Sequence, residues 1–167
     1  VFVADTNNHT IRKITSTRVV STLAGAAGVS GTSDGTGSAA RFNYPSGIAL
    51  NASGTLYVAD QFNHTIRQVV AGAVVTTLAG AAGNTGSADG LGGAARFHYP
   101  AGLAVDGDGV LYVADSQNHT IRLIDLNATV LTIGGQAGAI GATDGADTVA
   151  RFSGPFSLAV DANGKLF

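Results

Sequence analysis

This chain of 167 residues lacks several residue types that soluble proteins commonly contain. It has no cysteine, which excludes disulfide bonds and thiolate metal sites. It has no glutamate and only two lysines, Lys13 and Lys165, so the residues that favour exposed helices are scarce. No apolar run is long enough to span a membrane. The formal net charge is −2 and the arginines are spread along the chain, which argues against a nucleic-acid surface.

Glycine and apolar residues are abundant instead. The chain holds 24 glycines, and 45% of its residues are hydrophobic. Valine, isoleucine, threonine, tyrosine and phenylalanine favour strands, so this composition predicts an all-β protein with glycine-rich turns and no helix longer than about two turns. The first residue is Val1 rather than methionine, so we expect a processed chain or part of a longer protein.

A repeat of 55 residues runs through the whole chain. Equivalent aspartates stand at Asp5, Asp60 and Asp115, and no insertion or deletion breaks the interval. The copies are in phase at 1–55, 56–110 and 111–165 of a single domain, 1–167. Repeats of this length form arrays in which each unit packs against its neighbours.

Each copy contains four apolar segments separated by turn signals. In the second copy these segments are 47–51, 55–59, 65–70 and 74–80. Turns such as "DGDG" and "DANG" favour hairpins between the first two segments. The segments are apolar on both faces, which suits a sheet packed between two other sheets. The pattern predicts a β-propeller with three four-stranded blades of 55 residues each.

The repeated segments resemble a known family. "LYVADQFNHTIRQV", preceded by "ARFNYPSGIAL" and "LAGAAGVSGTSDGTGSAA", is similar to the NHL repeat in its bacterial-type form, with Thr in place of the Leu of the family name. The resemblance implies a β-propeller, commonly six-bladed, but no single activity. Members of the family serve as protein-binding platforms, RNA binders, receptors or, rarely, metal-dependent lyases.

An Asp-x-x-Asn-His motif ends the second segment of every copy. A set of histidines and carboxylates could hold a metal ion. Equivalent residues of different blades lie far apart around a propeller, however, and a turn held by side-chain hydrogen bonds accounts for the same residues. We therefore predict a structural turn motif and no metal site. Its residues are Asp5, Asn8, His9, Asp60, Asn63, His64, Asp115, Asn118 and His119.

Arginine recurs at two further positions of the repeat. One set, Arg12, Arg67 and Arg122, lies among apolar residues of the third segment. Each should pair with an aspartate of its own or an adjacent blade, because an unpaired buried guanidinium is costly. The other set lies where one blade leads into the next and is expected to link blades. This inter-blade set comprises Arg41, Arg96 and Arg151.

The long loops between blades carry one Asp-Gly pair each, at Asp34, Asp89 and Asp144. Calcium sites need several oxygen ligands, so we expect no cofactor and keep calcium as the weaker alternative. His98 is the only histidine outside the repeat and is interpreted as an ordinary structural residue.

Five Asn-x-Ser/Thr sequons are a further signal. They belong either to folded turns or to a glycosylated, hence extracellular, surface. The possible glycosylation sites are Asn8, Asn51, Asn63, Asn118 and Asn127.

These observations predict a non-enzymatic extracellular or periplasmic scaffold that binds protein or glycan through loops on one propeller face. The alternative is a metal-dependent hydrolase or lyase with its site in the central channel. That site would have to use Asn51, Asp106 and Asp161, which end the innermost strands. We expect no nucleic-acid partner and no membrane insertion.

The repeat is cut within a strand at both ends of the chain. Blades would therefore be completed across the ends, by another copy or by a continuing chain. Self-association or chain continuation is expected, giving either a six-bladed ring of two halves or a longer array.

Overall fold

A computed structural model describes all 167 residues and contains 13 strands. The strands are β1 (Phe2–Asp5), β2 (Thr10–Ile14), β3 (Val20–Gly25), β4 (Gly35–Thr36), β5 (Pro45–Leu50), β6 (Leu56–Asp60), β7 (Thr65–Val70), β8 (Val74–Gly80), β9 (Gly90–Leu91), β10 (Pro100–Val105), β11 (Leu111–Asp115), β12 (Thr120–Ile124) and β13 (Thr129–Gly134). All helical segments are 3₁₀ turns of three residues: Thr6–Asn8, Gly37–Ala39, Gln61–Asn63, Ala71–Ala73, Gly92–Ala94, Ser116–Asn118 and Asp147–Val149. The all-β prediction is confirmed, as is the absence of any helix longer than two turns. Nothing in the structure has the helical length and hydrophobicity needed to cross a bilayer.

The strands form three antiparallel sheets. The first has the order β1-β2-β3, the second β5-β6-β7-β8-β4 and the third β10-β11-β12-β13-β9. Consecutive strands pair as neighbours through short turns, which gives the predicted meander. The prediction of four strands per sheet omits one, because β4 and β9 add a short fifth strand at the outer edges of the second and third sheets. Residues 155–167 add only an isolated bridge between Val160 and Leu166.

Each fifth strand comes from the loop that precedes its sheet. We call the segments 26–44, 81–99 and 136–154 the connecting loops. β4 lies in the first of them and pairs with Val74 and Val75 of β8. Two-residue strands carry no apolar alternation of their own, so the sequence pattern could not reveal them.

The core lies between the sheets. Val58 and Phe42 belong to the cluster that joins the first two sheets, and Val113 and Phe97 to the cluster that joins the second and third. Phe42 and Phe97 come from the connecting loops and are completely buried. Burial of one such side chain contributes about 1.5–3 kcal/mol, so each connecting loop is held firmly between two sheets.

β5 approaches β10 closely, and β10 approaches the segment at Phe156 in the same way. A Cβ added to Gly47 would lie 2.1 Å from the carbonyl oxygen of Ala101, and one added to Gly102 would lie 2.6 Å from that of Phe156. Only glycine fits such a backbone contact. These glycines therefore set the spacing of the innermost strands.

Candidate functional site

The Asp-x-x-Asn-His motif forms a tight turn between β6 and β7. Gln61–Asn63 make one 3₁₀ turn, and His64 ends it in the left-handed conformation with φ of +60°. Histidine is among the few residues enriched in that region. The reversal places Asp60 directly opposite Thr65 across the hairpin. His9 and His119 end the equivalent turns with φ of 57° and 58°.

Asp60 is the centre of a buried hydrogen-bond network. Its carboxylate accepts bonds from the backbone N–H of Asn43 at 2.6 Å and from the Asn63 side-chain amide at 2.8 Å. It also pairs with Arg67 at 2.8 Å, and the two side chains are 0% and 1% exposed. Three donors therefore converge on one desolvated carboxylate.

Arg67 connects this aspartate to the preceding connecting loop. Its guanidinium donates to the carbonyls of Arg41 and Ser33 at 3.0 and 3.1 Å and pairs with Asp34 at 2.6 Å. It lies over the ring of Phe42, with 5.4 Å between Cζ and the ring centroid. Hydrogen bonds that involve a charged group are stronger than bonds between neutral groups, so Arg67 holds β7 against the connecting loop. The register of β7 and β8 shifts between Ile66 and Arg67, which is a bulge at the arginine itself.

Asn63 and His64 reach in opposite directions. The Asn63 amide also donates to the carbonyl of Gly31 at 2.7 Å, in the preceding loop. Nδ1 of His64 accepts from the backbone N–H of Tyr99 at 3.2 Å, in the following loop. The motif therefore holds the loop before its sheet with Asp, Asn and Arg, and the loop after it with His.

Burial perturbs the ionisation of both groups. Desolvation raises the pKa of Asp60 to about 6, against the hydrogen bonds from Asn43, Asn63 and Arg67, which lower it. Desolvation also lowers the pKa of His64, with a further contribution from the nearby His98. A neutral His64 is what the contact with Tyr99 requires, because Nδ1 must accept a hydrogen bond.

The third copy repeats these contacts. Asp115 accepts from His98 N–H at 2.8 Å and pairs with Arg122 at 2.8 Å, and Arg122 also pairs with Asp89 at 2.7 Å. Desolvation by burial raises the pKa of Asp115. Nδ1 of His119 accepts from the N–H of Gly154 at 3.0 Å.

Comparison with known proteins identifies this repeated unit. A profile of the NHL repeat matches residues 42–69 and 97–122, which contain the second and third turns. NHL repeat-containing protein 2 from Bos taurus is 34% identical over 147 residues, which cover 80% of this chain and 20% of that protein. The chain belongs to the NHL-repeat family. The resemblance noted from the sequence is thereby confirmed.

Two further comparisons bear on extent and fold. The Arabidopsis thaliana protein SUPPRESSOR OF QUENCHING 1, chloroplastic, is 41% identical over 99 residues, covering 58% of this chain and 9% of that protein. A structural genomics protein of unknown function from Bacteroides thetaiotaomicron has a TM-score of 0.80 and 25% identity, covering 99% of this chain and 40% of that one. The chain thus spans about a tenth to a fifth of the curated relatives it matches. Its structural neighbours are β-propellers, so the fold is an all-β NHL propeller fold.

The first NHL copy makes only part of the network. Arg12 pairs with Asp5 at 3.1 Å, and the two side chains are 30% and 28% exposed. Asn8 donates to Asp5 at 3.0 Å. His9 makes the full forward contact, accepting from Tyr44 N–H at 3.1 Å. The copies therefore share one motif at two levels of burial.

The predicted inter-blade arginines lie in the connecting loops. The Arg41 guanidinium donates to the carbonyls of Ser38 and Ala40 in its own loop, at 2.5 and 2.7 Å. Its link to the next sheet is made by its backbone carbonyl, which accepts from Arg67. Arg96 and Arg151 likewise donate to carbonyls of their own loops, at 93 and 95 and at 148–150.

The sequons fall into two groups. Asn63 and Asn118 are buried, and their amide nitrogens donate to Gly31 and Gly86 carbonyls. A glycan on either nitrogen is incompatible with these contacts, so glycosylation there conflicts with the fold. The amide of Asn8 bonds Asp5 but is exposed, Asn51 is partly exposed, and Asn127 is exposed.

The structure assembles no group of three or more His, Cys, Asp or Glu side chains that could hold a metal ion. Asp34 and Asp89, considered above as calcium ligands, pair with Arg67 and Arg122. The Asp34–Arg67 pair joins a connecting loop to the sheet that follows it, across 33 positions, and the sequence offered no signal for it. The exposed aromatic residues Tyr44 and Phe62, beside the turns, gave no signal in the sequence because neither recurs in all three copies.

Proposed function

We propose that this chain is part of a non-enzymatic extracellular scaffold, in which each sheet is one propeller blade and loops on one face bind a protein or glycan. The observation that carries the proposal is the full structural use of the ionisable groups in the NHL motif. Asp60 and Asp115 are completely buried and bonded to three donors each. Groups held in this way bind no substrate.

The residues required by an enzyme in the central channel are engaged elsewhere. Oδ1 of Asn51, Asp106 and Asp161 accepts backbone N–H groups of the hairpin turn that follows each strand. A cleft of about 280 Å³ lies between the innermost strands and has no ionisable side chain. It is lined by Thr6, Ser46, Gly47, Ala101, Gly102, Phe156 and Ser157. Binding, rather than acid–base or metal chemistry, suits such a surface.

Metal content of the purified protein tests the non-enzymatic part of the proposal. We expect substoichiometric metal by inductively coupled plasma mass spectrometry. A stoichiometric metal that Asp106→Asn removes without loss of folding would support the lyase or hydrolase alternative instead.

The chain also carries two complementary halves of an NHL contact. The connecting loop 136–154 has the same internal bonds as the other two, with Arg151 N–H donating to Thr143 and Gly141 N–H to Phe152. Asp144 of this loop is at the position equivalent to Asp34, which pairs with Arg67 in the first connecting loop. The first copy offers Arg12 with no aspartate but Asp5. We infer that Arg12 of a second copy, or of a further repeat, docks against Asp144, so that two chains close a six-bladed ring or more form an array.

Light scattering with a charge exchange tests this assembly. Arg12→Asp and Asp144→Arg should each dissociate the purified assembly, and the double exchange should restore it. Arg18→Asp, in an exposed turn, is the matched control and should have no effect. A folded monomer of 16.6 kDa for the unmodified chain would refute self-association.

A further inference from the structure

An arc of aromatic side chains lies beside the Asn-His turns. We call Tyr44, Phe62, Tyr99 and His98 the aromatic strip. Ring centroids are 4.7 Å apart between Tyr44 and Phe62, 4.9 Å between Phe62 and Tyr99, and 5.3 Å between His98 and Tyr99. His9 and His64 contact the two tyrosines from behind, at 4.8 and 4.7 Å. The strip is therefore continuous across neighbouring sheets.

Tyr44 and Phe62 are exposed, Tyr99 and His98 are partly exposed, and the repeat does not require Phe62. Phe62 is 43% exposed and Tyr44 37% exposed. The positions equivalent to Phe62 hold Asn7 and Gln117, which are polar. Because the same turn forms with an amide side chain at this position in the other two copies, the fold does not depend on the phenylalanine.

The backbone at the tyrosines also favours a different residue. Tyr44 and Tyr99 have φ of 52° and 53°, in the left-handed region, and the third copy holds Gly154 there with φ of 60°. Bulky residues are uncommon in this conformation, whereas glycine adopts it freely. Two copies therefore have tyrosine at a position where the backbone favours glycine, which indicates that the tyrosine side chain itself has a role.

The strip and its polar neighbours in the turns and loop ends contain no aspartate, lysine or arginine. The residues at its positions and beside them are Asn43, Tyr44, Gln61, Phe62, His98, Tyr99, Ser116 and Gln117. Of the aspartates that precede the turns, Asp60 and Asp115 are buried and Asp5 is paired with Arg12. Aromatic faces next to neutral amides complement a ligand that has polarised C–H groups and hydroxyls but no charge.

We propose that the aromatic strip binds a neutral glycan, with sugar rings stacked on the exposed faces of Tyr44, Phe62 and Tyr99. A proline-rich peptide fits less well, because such peptides dock into grooves between aromatic rings. Rings at 4.7 and 4.9 Å are in contact and leave no groove for a proline side chain. The inference rests on the proposed scaffold function, whose binding face it locates.

Affinity electrophoresis of the purified protein tests the proposal. The gels contain neutral hydroxyethylcellulose, galactomannan or arabinogalactan, or anionic polygalacturonate. We expect retardation by at least one neutral polymer and none by polygalacturonate. Phe62→Gln and Tyr99→Gly should weaken binding about tenfold each, as loss of one stacking contact implies. Both changes introduce the residue that another copy carries, so the fold tolerates them.

Leu126→Ala is the control, because Leu126 is exposed in a hairpin turn outside the strip and Ala71 is its counterpart. Its affinity should match that of the unmodified protein. Failure of every neutral polymer to bind, or full binding by Phe62→Gln, overturns the proposal. Binding of decaproline alone, lost in Phe62→Gln, would overturn the glycan proposal and leave the scaffold function standing. Release of reducing ends from a bound glycan would support glycan recognition but refute the non-enzymatic function.

Discussion

The three copies of the NHL motif allow a buried and an exposed ion pair to be compared within one chain. Arg67→Leu removes the charge partner of Asp60, which is 0% exposed, whereas Arg12→Leu removes that of Asp5, which is 28% exposed. Breaking a buried pair leaves an uncompensated charge and costs about 3–5 kcal/mol. An exposed pair contributes about 0–1 kcal/mol. We therefore expect a difference of about 3 kcal/mol in the free energy of unfolding between the two variants.

Urea denaturation followed by circular dichroism measures both losses, at concentrations low enough for the chain to be monomeric. Hydrogen exchange measured by mass spectrometry locates the effect. Arg67→Leu should make the backbone amides of the connecting loop 26–44 exchange faster. Asp60→Asn combined with Arg67→Leu should recover part of the loss, because no buried charge then lacks a partner. Equal losses for the two single variants would refute the reasoning.

Further predictions follow from the same contacts. His64→Ala should cost about 1–3 kcal/mol in urea denaturation, because Tyr99 N–H loses its acceptor, and His98→Ala should change stability little. The pKa of His64 in the folded protein lies below its ordinary 6.5. Its contribution to stability is therefore complete above pH 6.5 and is lost as pH falls through the folded pKa. His64→Asn should flatten that part of the plot of unfolding free energy against pH. The folded pKa of Asp60 is raised from 3.8 to about 6, so its contribution is complete below 3.8 and is lost as pH rises through about 6, which carbon NMR of the carboxyl can follow. Gly47→Ala should lower the melting temperature measured by circular dichroism, because its Cβ would lie 2.1 Å from the carbonyl oxygen of Ala101 and force β5 to move.

The sequence predicted the elements that depend on local pattern. The bounds of β7 and β8 match the predicted segments, because an apolar run, a glycine turn and a second apolar run define that hairpin. β4 was missed because a two-residue strand depends on the path of its loop rather than on its composition. Asp34 was considered as a calcium ligand because Asp-Gly pairs occur in calcium-binding loops. Its pairing with Arg67 depends on how the connecting loop packs against its own sheet.

The repeat pattern did not reveal the exposed aromatic residues. Periodicity directs attention to residues that recur, such as Asp60 and His64, and these are the ones used inside the fold. Phe62 has no equivalent in the other copies, and Tyr44 and Tyr99 have only each other. Their proximity requires the turn of one repeat to meet the entry of the next, which sequence spacing alone does not show.

The short strand β4 has a consequence for how such a chain can be divided or duplicated. The structural module does not begin where a sheet begins but at the loop before it, since residues 26–44 supply an edge strand, Phe42 and the partners of Arg67. A gene segment encoding residues 26–80 therefore keeps the edge strand and both aspartate partners of Arg67 in one unit, whereas one cut at 56–110 separates Arg67 from Asp34. Recombination or protein engineering that respects the first boundary should add or remove repeats without unfolding those that remain.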